Sequence, residues 1–184
     1  MNESQLIERV LAGDATAERT LYDAHVDRIY RLAYRMTGDE TMSEDCTQET
    51  FIRAFDNLVS FQGRSALSTW LHSIAVSVVL NSIRKVKRLR QRETELDDAT
   101  LGLVAMSKPD LDLRLGLYRA IEQLTDDLRL VFVLHDMEGY KHQEIADILD
   151  VPLGTSKTRL FRAHQLLRET LAPSGGQTAE EDGL

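Results

Sequence analysis

Few side chains in this sequence are placed to do covalent chemistry. The 5 histidines (His25, His72, His135, His142 and His164) are scattered. None falls in an H-E-x-x-H pattern, which would set two imidazoles on one helix face for zinc. No G-x-x-x-x-G-K or G-x-G-x-x-G run offers a backbone cradle for a nucleotide. Cys46 is the single cysteine, which excludes a disulfide scaffold and a Cys-rich metal site. Its neighbours Glu44, Asp45 and Glu49 disfavour a thiolate. Neither an enzyme nor a cofactor or metal site is expected. What remains is recognition. Residues 145–171 read IADILDVPLGTSKTRLFRAHQLLRETL: a short helical pattern, a tight Asp150-Val151-Pro152 turn, then a helix with Lys157, Arg159 and Arg162. That is a helix-turn-helix with a basic second helix, sized for the DNA major groove.

Within this motif, Ile145, Ala146 and Leu149 should pack inward from the first helix. Leu160, Ala163, Leu167 and Leu171 should do so from the second. Asp150 stands where a left-handed conformation is needed, which Gly adopts best and Asp tolerates. Pro152 suits a helix entrance, where its missing N–H needs no partner. Gly154 and Thr155 leave room for a phosphate at the helix start. Ser156, Lys157, Thr158, Arg159 and Arg162 are the candidates for base and backbone contact. Arg159, with its forked donors, is the expected guanine reader, whereas Arg162 reaches either a base or a phosphate.

The net charge of −8 argues at first against nucleic acid, but its distribution reverses that reading. Residues 84–92, RKVKRLRQR, hold six bases and no acid, while residues 1–60 hold twelve acids against six bases. The bases sit where phosphates could be met. No apolar run is long enough to span a membrane. The N-terminus lacks the pattern of a signal peptide, so the chain reads as cytoplasmic.

The elements that must position these residues are helical throughout, with no strand alternation. A short helix stops near Gly13. Asp14 caps the next, which carries Leu21, Ile29, Leu32, Ala33 and Met36 and bends near Ala24 and His25. Thr41 and Glu44 suggest a capping box for a helix to about Leu58. On that helix Thr47, Phe51, Ala54, Phe55 and Leu58 share one face. Asp45, Gln48, Glu49, Ile52 and Asp56 share the other, either a solvated acidic stripe or a surface for a basic protein partner. Ser65 is placed to cap a long helix with Trp70, Leu71, Ile74, Ala75, Val78, Val79 and Ile83 on its apolar face. Ser73, Ser77 and Asn81 recur every four residues on another side. With Phe61, Gly63 and the basic run, that stripe suits single-stranded or melted DNA. Phe61 and Trp70 also suit a core. Leu113, Leu117, Ile121 and Leu124 mark a further helix, and Leu128, Val131, Phe132 and His135 another.

The expected fold class is therefore all-α, with two small helical domains joined by a linker. Residues 1–92 form the first domain and 93–111 an acidic linker. Residues 112–172 form the helix-turn-helix domain and 173–184 an acidic, disordered tail.

Four segments in this order resemble a known family: YDAHVDRIYRLAYRMTGD, SEDCTQETFIRAF, FQGRSALSTWLHSIAVSVVLNSIRK and HQEIADILDVPLGTSKTRLFRAHQLLRE. They are similar to the bacterial RNA polymerase sigma factors, in the small extracytoplasmic-function group. The resemblance covers about Leu21 to Leu171. It implies that Asp45, Gln48, Glu49 and Ile52, on the face that also carries Asp56, bind core RNA polymerase. It implies that Phe61, Gly63, Ser65, Thr69, Ser73, Ser77 and Asn81, followed by Arg84, Lys85, Lys87 and Arg88, open and hold the minus-ten strand of promoter DNA. Thr155, Ser156, Lys157, Thr158, Arg159 and Arg162 would meet the minus-thirty-five duplex. An anti-sigma factor is an implied partner. The chain departs from the family's common residues at Ser77, Asn81, His142, Asp150 and Ser156. The alternative is a helix-turn-helix regulator that is not a polymerase subunit.

Overall fold

The computed structural model describes residues 2–94 and 113–172, with side chains for 2–91 and 116–172. The linker stretch and the acidic tail lie outside the described residues, apart from the last turn of a helix ending at Thr94. The described residues are helical and fall into two compact units, Met1–Met106 and Ser107–Leu184.

The first unit holds α1 (Glu3–Leu11), α2 (Ala15–Thr37), α3 (Glu40–Asn57), a 3₁₀ turn (Leu58–Ser60) and α4 (Leu67–Thr94). Asn2 and Gln5 form a reciprocal capping box on α1. Asp14 caps α2 through Thr16 and Ala17 N–H and also accepts from Arg9. The Arg9 bond, the first of several causes, lowers the Asp14 pKa. One carboxylate thus sets the corner between two helices. Gly38, at φ 66°, ends α2 in the left-handed conformation glycine allows.

The second helix is continuous through Ala24 and His25. Two local expectations are corrected here. The cap of α3 is Asp39, which accepts from Met42 N–H at 2.7 Å, and Thr41 lies inside the first turn. Ser65 does not cap α4, which starts two residues later at Leu67. Leu67 N–H donates instead to Glu3 Oε1 of α1 at 3.3 Å. A carboxylate distant in sequence satisfies that helix start, so no local pattern could reveal it.

The core of this unit joins α2, α3 and α4 through Leu21, Ile29, Leu32, Met36, Phe51, Leu58, Leu71 and Val79. Thr37, Ser43, Thr47 and Thr50 are buried as well. Each hydroxyl donates to a carbonyl four residues earlier. Small side chains that satisfy their own polar atoms fit a helix interface without unpaired groups.

The second unit holds α5 (Leu113–Glu122), α6 (Asp126–Phe132), a π turn (Val133–Met137), α7 (His142–Leu149) and α8 (Leu153–Leu171). Arg129 is only 7% exposed. It donates to the carbonyls of Ile121, Glu122 and Leu124. A buried guanidinium therefore closes the end of α5, whose last carbonyls lack helical partners. Ile121, Leu124, Val131, Leu134, Ile145, Leu160, Ala163 and Leu167 form the core. His135 lies in the π turn rather than in a continuing α-helix. Leu117 and Leu171 are exposed, and Leu149 is only half-buried. Leu149 and Leu171 are the last residues of α7 and α8, where fewer neighbours cover a side chain.

Candidate functional site

Three surfaces carry the expected recognition residues. On α3, Thr47, Phe51 and Ala54 are buried, whereas Asp45, Gln48 and Asp56 are exposed. Ile52 is 56% exposed in their midst. Glu49 is half-buried and accepts from Arg53 Nε at 2.6 Å. Helical spacing thus divides α3 into a core face and an acidic outer face with one apolar side chain. The 3₁₀ turn extends this outer surface by Val59, 78% exposed. The sequence reading missed Val59, although the i, i+4, i+7 series of Ile52, Asp56 and Val59 contains the signal.

The second surface spans the loop before α4 and the helix itself. The rings of Phe61 and Trp70 meet at 5.2 Å with a 51° tilt. Both are half-buried, so each serves as partial core and partial surface. Gly63 takes φ 64°, which a side chain rarely adopts. Ser65, Thr69, Ser73, Ser77 and Asn81 are all exposed. A groove of about 380 Å³ runs between α3 and α4, lined by Arg53, Asn57, Ser60, Trp70, Ser73, Ile74 and Ser77. The contributions from Arg53, Asn57 and Ser60 were not foreseen, since they come from the neighbouring helix and turn. Further along α4, Arg84, Lys85 and Arg88 are exposed and Lys87 is half-buried.

The third surface is the start of α8. Asp150 adopts φ 55°, ψ 53°, the left-handed turn the motif requires. The carbonyl of Pro152 accepts from Thr155 and Ser156 N–H and opens the helix. Open space surrounds Gly154. Lys157, Thr158 and Arg162 are exposed, and Thr155 is half-buried. Ser156 is corrected: it is fully buried, its Oγ 3.0 Å from His142 Nδ1. It faces α7, away from the exposed surface of α8. Arg159 is half-buried and paired with Asp127 of α6. Phe161, 66% exposed, was missed. It lies four residues after Lys157, on the outward face, and counting helical positions would have found it.

Behind this helix, histidines cluster around one carboxylate. The Asp136 carboxylate accepts from both His135 Nδ1 and His164 Nε2. The His135 and His142 rings stack at 4.6 Å. Burial is the largest influence on Asp136 and raises its pKa, but bonds to His164 and His135 leave it below the usual value. Among the described residues, no group of His, Cys, Asp or Glu is arranged to hold a metal ion, and no helix is long and apolar enough to cross a membrane. Cys46 is buried, which raises its pKa.

Residues 21–89, which include the first two surfaces, match the family model of sigma-70 region 2. Residues 114–167 match that of sigma-70 region 4 and include the third. The chain is 37% identical over 177 residues to the ECF RNA polymerase sigma factor SigW of Bacillus subtilis, covering 90% of this chain and 94% of that protein. It is 37% identical over 160 residues to the ECF RNA polymerase sigma factor SigE of Mycolicibacterium smegmatis, covering 85% of this chain and 62% of that longer relative. Among solved structures, it resembles the sigma factor RpoE of Bartonella quintana in complex with the anti-sigma factor NepR. The TM-score is 0.57 at 25% identity, over 85% of this chain and 98% of that one. These relationships do not favour a stand-alone helix-turn-helix regulator. The chain belongs to the extracytoplasmic-function group of sigma-70 family RNA polymerase sigma factors.

Proposed function

We propose that this sigma factor binds core RNA polymerase through the outer face of α3 and reads a promoter through two separate surfaces. Asp45, Gln48, Glu49, Ile52 and Asp56 meet a basic surface of polymerase. Phe61, Ser73, Ser77 and Asn81 hold the minus-ten strand once it is unstacked, and the basic end of α4 grips its phosphates. Lys157, Thr158, Phe161 and Arg162 face the minus-thirty-five duplex. The work is done by binding alone, without catalysis, in the cytoplasm. Binding energy at the minus-ten element offsets strand separation. By analogy with the NepR complex of its structural relative, an anti-sigma factor masks these surfaces in the inactive state.

One observation carries this reading. On α3, a single exposed isoleucine is framed by carboxylates opposite the buried Thr47, Phe51 and Ala54. The test is core binding by a variant with Asp45→Lys and Glu49→Lys together. Losing a desolvated interface charge pair typically costs about 2 to 5 kcal/mol, so affinity should fall steeply while the helical circular-dichroism spectrum persists. Unchanged affinity in a folded variant would move the interface elsewhere.

A further inference from the structure

We propose that Arg53 is a phosphate grip for the strand groove, and that Glu49 neutralises it until polymerase occupies α3. The proposal rests on the reading of α3 and α4 given above. Arg53 belongs to two surfaces at once. Its Nε donates to Glu49 Oε1 at 2.6 Å, one turn back on the acidic outer face. Its side chain also lines the groove that holds Trp70, Ser73 and Ser77. Among the described residues lining that groove, Arg53 carries the charge, and the rest offer hydroxyls, an amide and apolar or aromatic surface.

A nucleic-acid strand needs a cation near its phosphates as well as a stacking surface. The bases of α4 begin at Arg84. Seven residues separate Arg84 from Ser77, about 10 Å along a helix, so the groove takes its charge from α3. A guanidinium held by a carboxylate presents little net charge to a phosphate. The Glu49–Arg53 pair is also loosely held: its side chains are 44% and 45% exposed, and such pairs contribute little stability. A basic partner surface that takes Glu49 therefore frees Arg53 at small cost. Docking on the outer face of α3 would turn the groove from neutral to cationic. The minus-ten grip would then be strongest only once the factor is part of the polymerase.

The test uses the full chain and a fluorescent fifteen-residue oligothymidylate, followed by anisotropy over a salt series. Glu49→Gln should tighten binding by about two- to fivefold, the scale of an exposed ion-pair effect. Added to Glu49→Gln, which releases Arg53, Arg53→Gln should weaken binding and lower the log–log salt slope by about 0.7. The double variant should bind like Arg53→Gln alone, because Glu49 acts through Arg53. Glu44→Gln removes the same charge from an exposed position of α3 farther from Arg53 and should have little effect. With saturating core polymerase, the gain from Glu49→Gln should vanish. Equal tightening by Glu49→Gln with and without Arg53 would reduce the effect to net charge and overturn the proposal. So would an unchanged salt slope when Arg53→Gln is added to Glu49→Gln, or a gain that survives in the holoenzyme. Failure of the polymerase-face reading itself appears separately, as normal core binding by the Asp45 and Glu49 charge reversals.

Discussion

Arg159 of the recognition helix donates Nη2 to Asp127 Oδ2 of α6 at 2.8 Å. The side chain that sequence logic selects as the guanine reader is thus held within its own domain. It is 24% exposed, against 42% for Asp127. A guanidinium fixed in this way braces α8 against α6 and has fewer donors left for a base.

Arg159→Ala should therefore weaken promoter binding by a similar factor on matched and mismatched minus-thirty-five sites. It should also lower the stability of the helix-turn-helix unit by about 1 kcal/mol, within the range of a charged hydrogen bond that is partly screened. Asp127→Ala should produce the same stability loss. The check is holoenzyme binding to both promoter types beside chemical denaturation of each variant. A loss confined to the matched site, with normal stability, would return Arg159 to base readout.

The second expectation concerns acid. Burial, then the charges of His135 and Lys157, pull the His142 pKa below 6.5, against a smaller opposing pull from Asp136. With the folded value below the unfolded one, the unfolded chain binds more protons as pH falls. The contribution of His142 to stability is complete above about pH 6.5 and is lost as pH drops through the folded value. Melting of the helix-turn-helix unit should fall between pH 7 and 5, and His142→Gln should flatten that fall. Asp136 acts in a lower window, as its depressed carboxyl pKa is crossed. His25 in the first unit is shifted the same way as His142, so the difference between wild type and variant is the readout. A slope that His142→Gln leaves intact would assign the acid sensitivity elsewhere.

The turn of the motif offers a stability test. Asp150 occupies φ 55°, a region that costs a side-chain-bearing residue energy glycine does not spend. Asp150→Gly should stabilise the unit by up to about 1 kcal/mol, and Asp150→Val should destabilise it. Denaturant midpoints at constant m-value give the comparison. A destabilised glycine variant would show that the Asp150 side chain itself supports the turn.

The basic end of α4 should act on phosphates rather than bases. Neutralising Arg84, Lys85, Lys87 and Arg88 should weaken holoenzyme binding alike across promoters and lower the log–log salt slope by about 0.7 to 0.9 per lost contact. A changed sequence preference at constant slope would contradict this assignment.

What the sequence disclosed and what it hid divide along a physical line. Helical periodicity is local, so it separated Phe51 and Ala54 from Asp45 and Ile52 on α3, and it located the Asp150 turn. The features it missed join residues distant along the chain. Glu3 caps α4 across the fold, Ser156 turns inward to His142, and Asp127 captures Arg159. Basic and hydroxylic residues on a recognition helix look alike in sequence whether they face a groove or a neighbouring helix. Only the packing of α6 and α7 decides which.

The most direct measurement is transcription of sheared genomic DNA by purified core polymerase with and without this chain, with RNA 5′ ends mapped by sequencing. The account expects new starts that appear only with the chain and share paired upstream elements at constant spacing. Those starts should be lost with the Asp45→Lys, Glu49→Lys variant. Starts unchanged by adding the chain, despite stable binding to core, would contradict the claim that it directs promoter recognition.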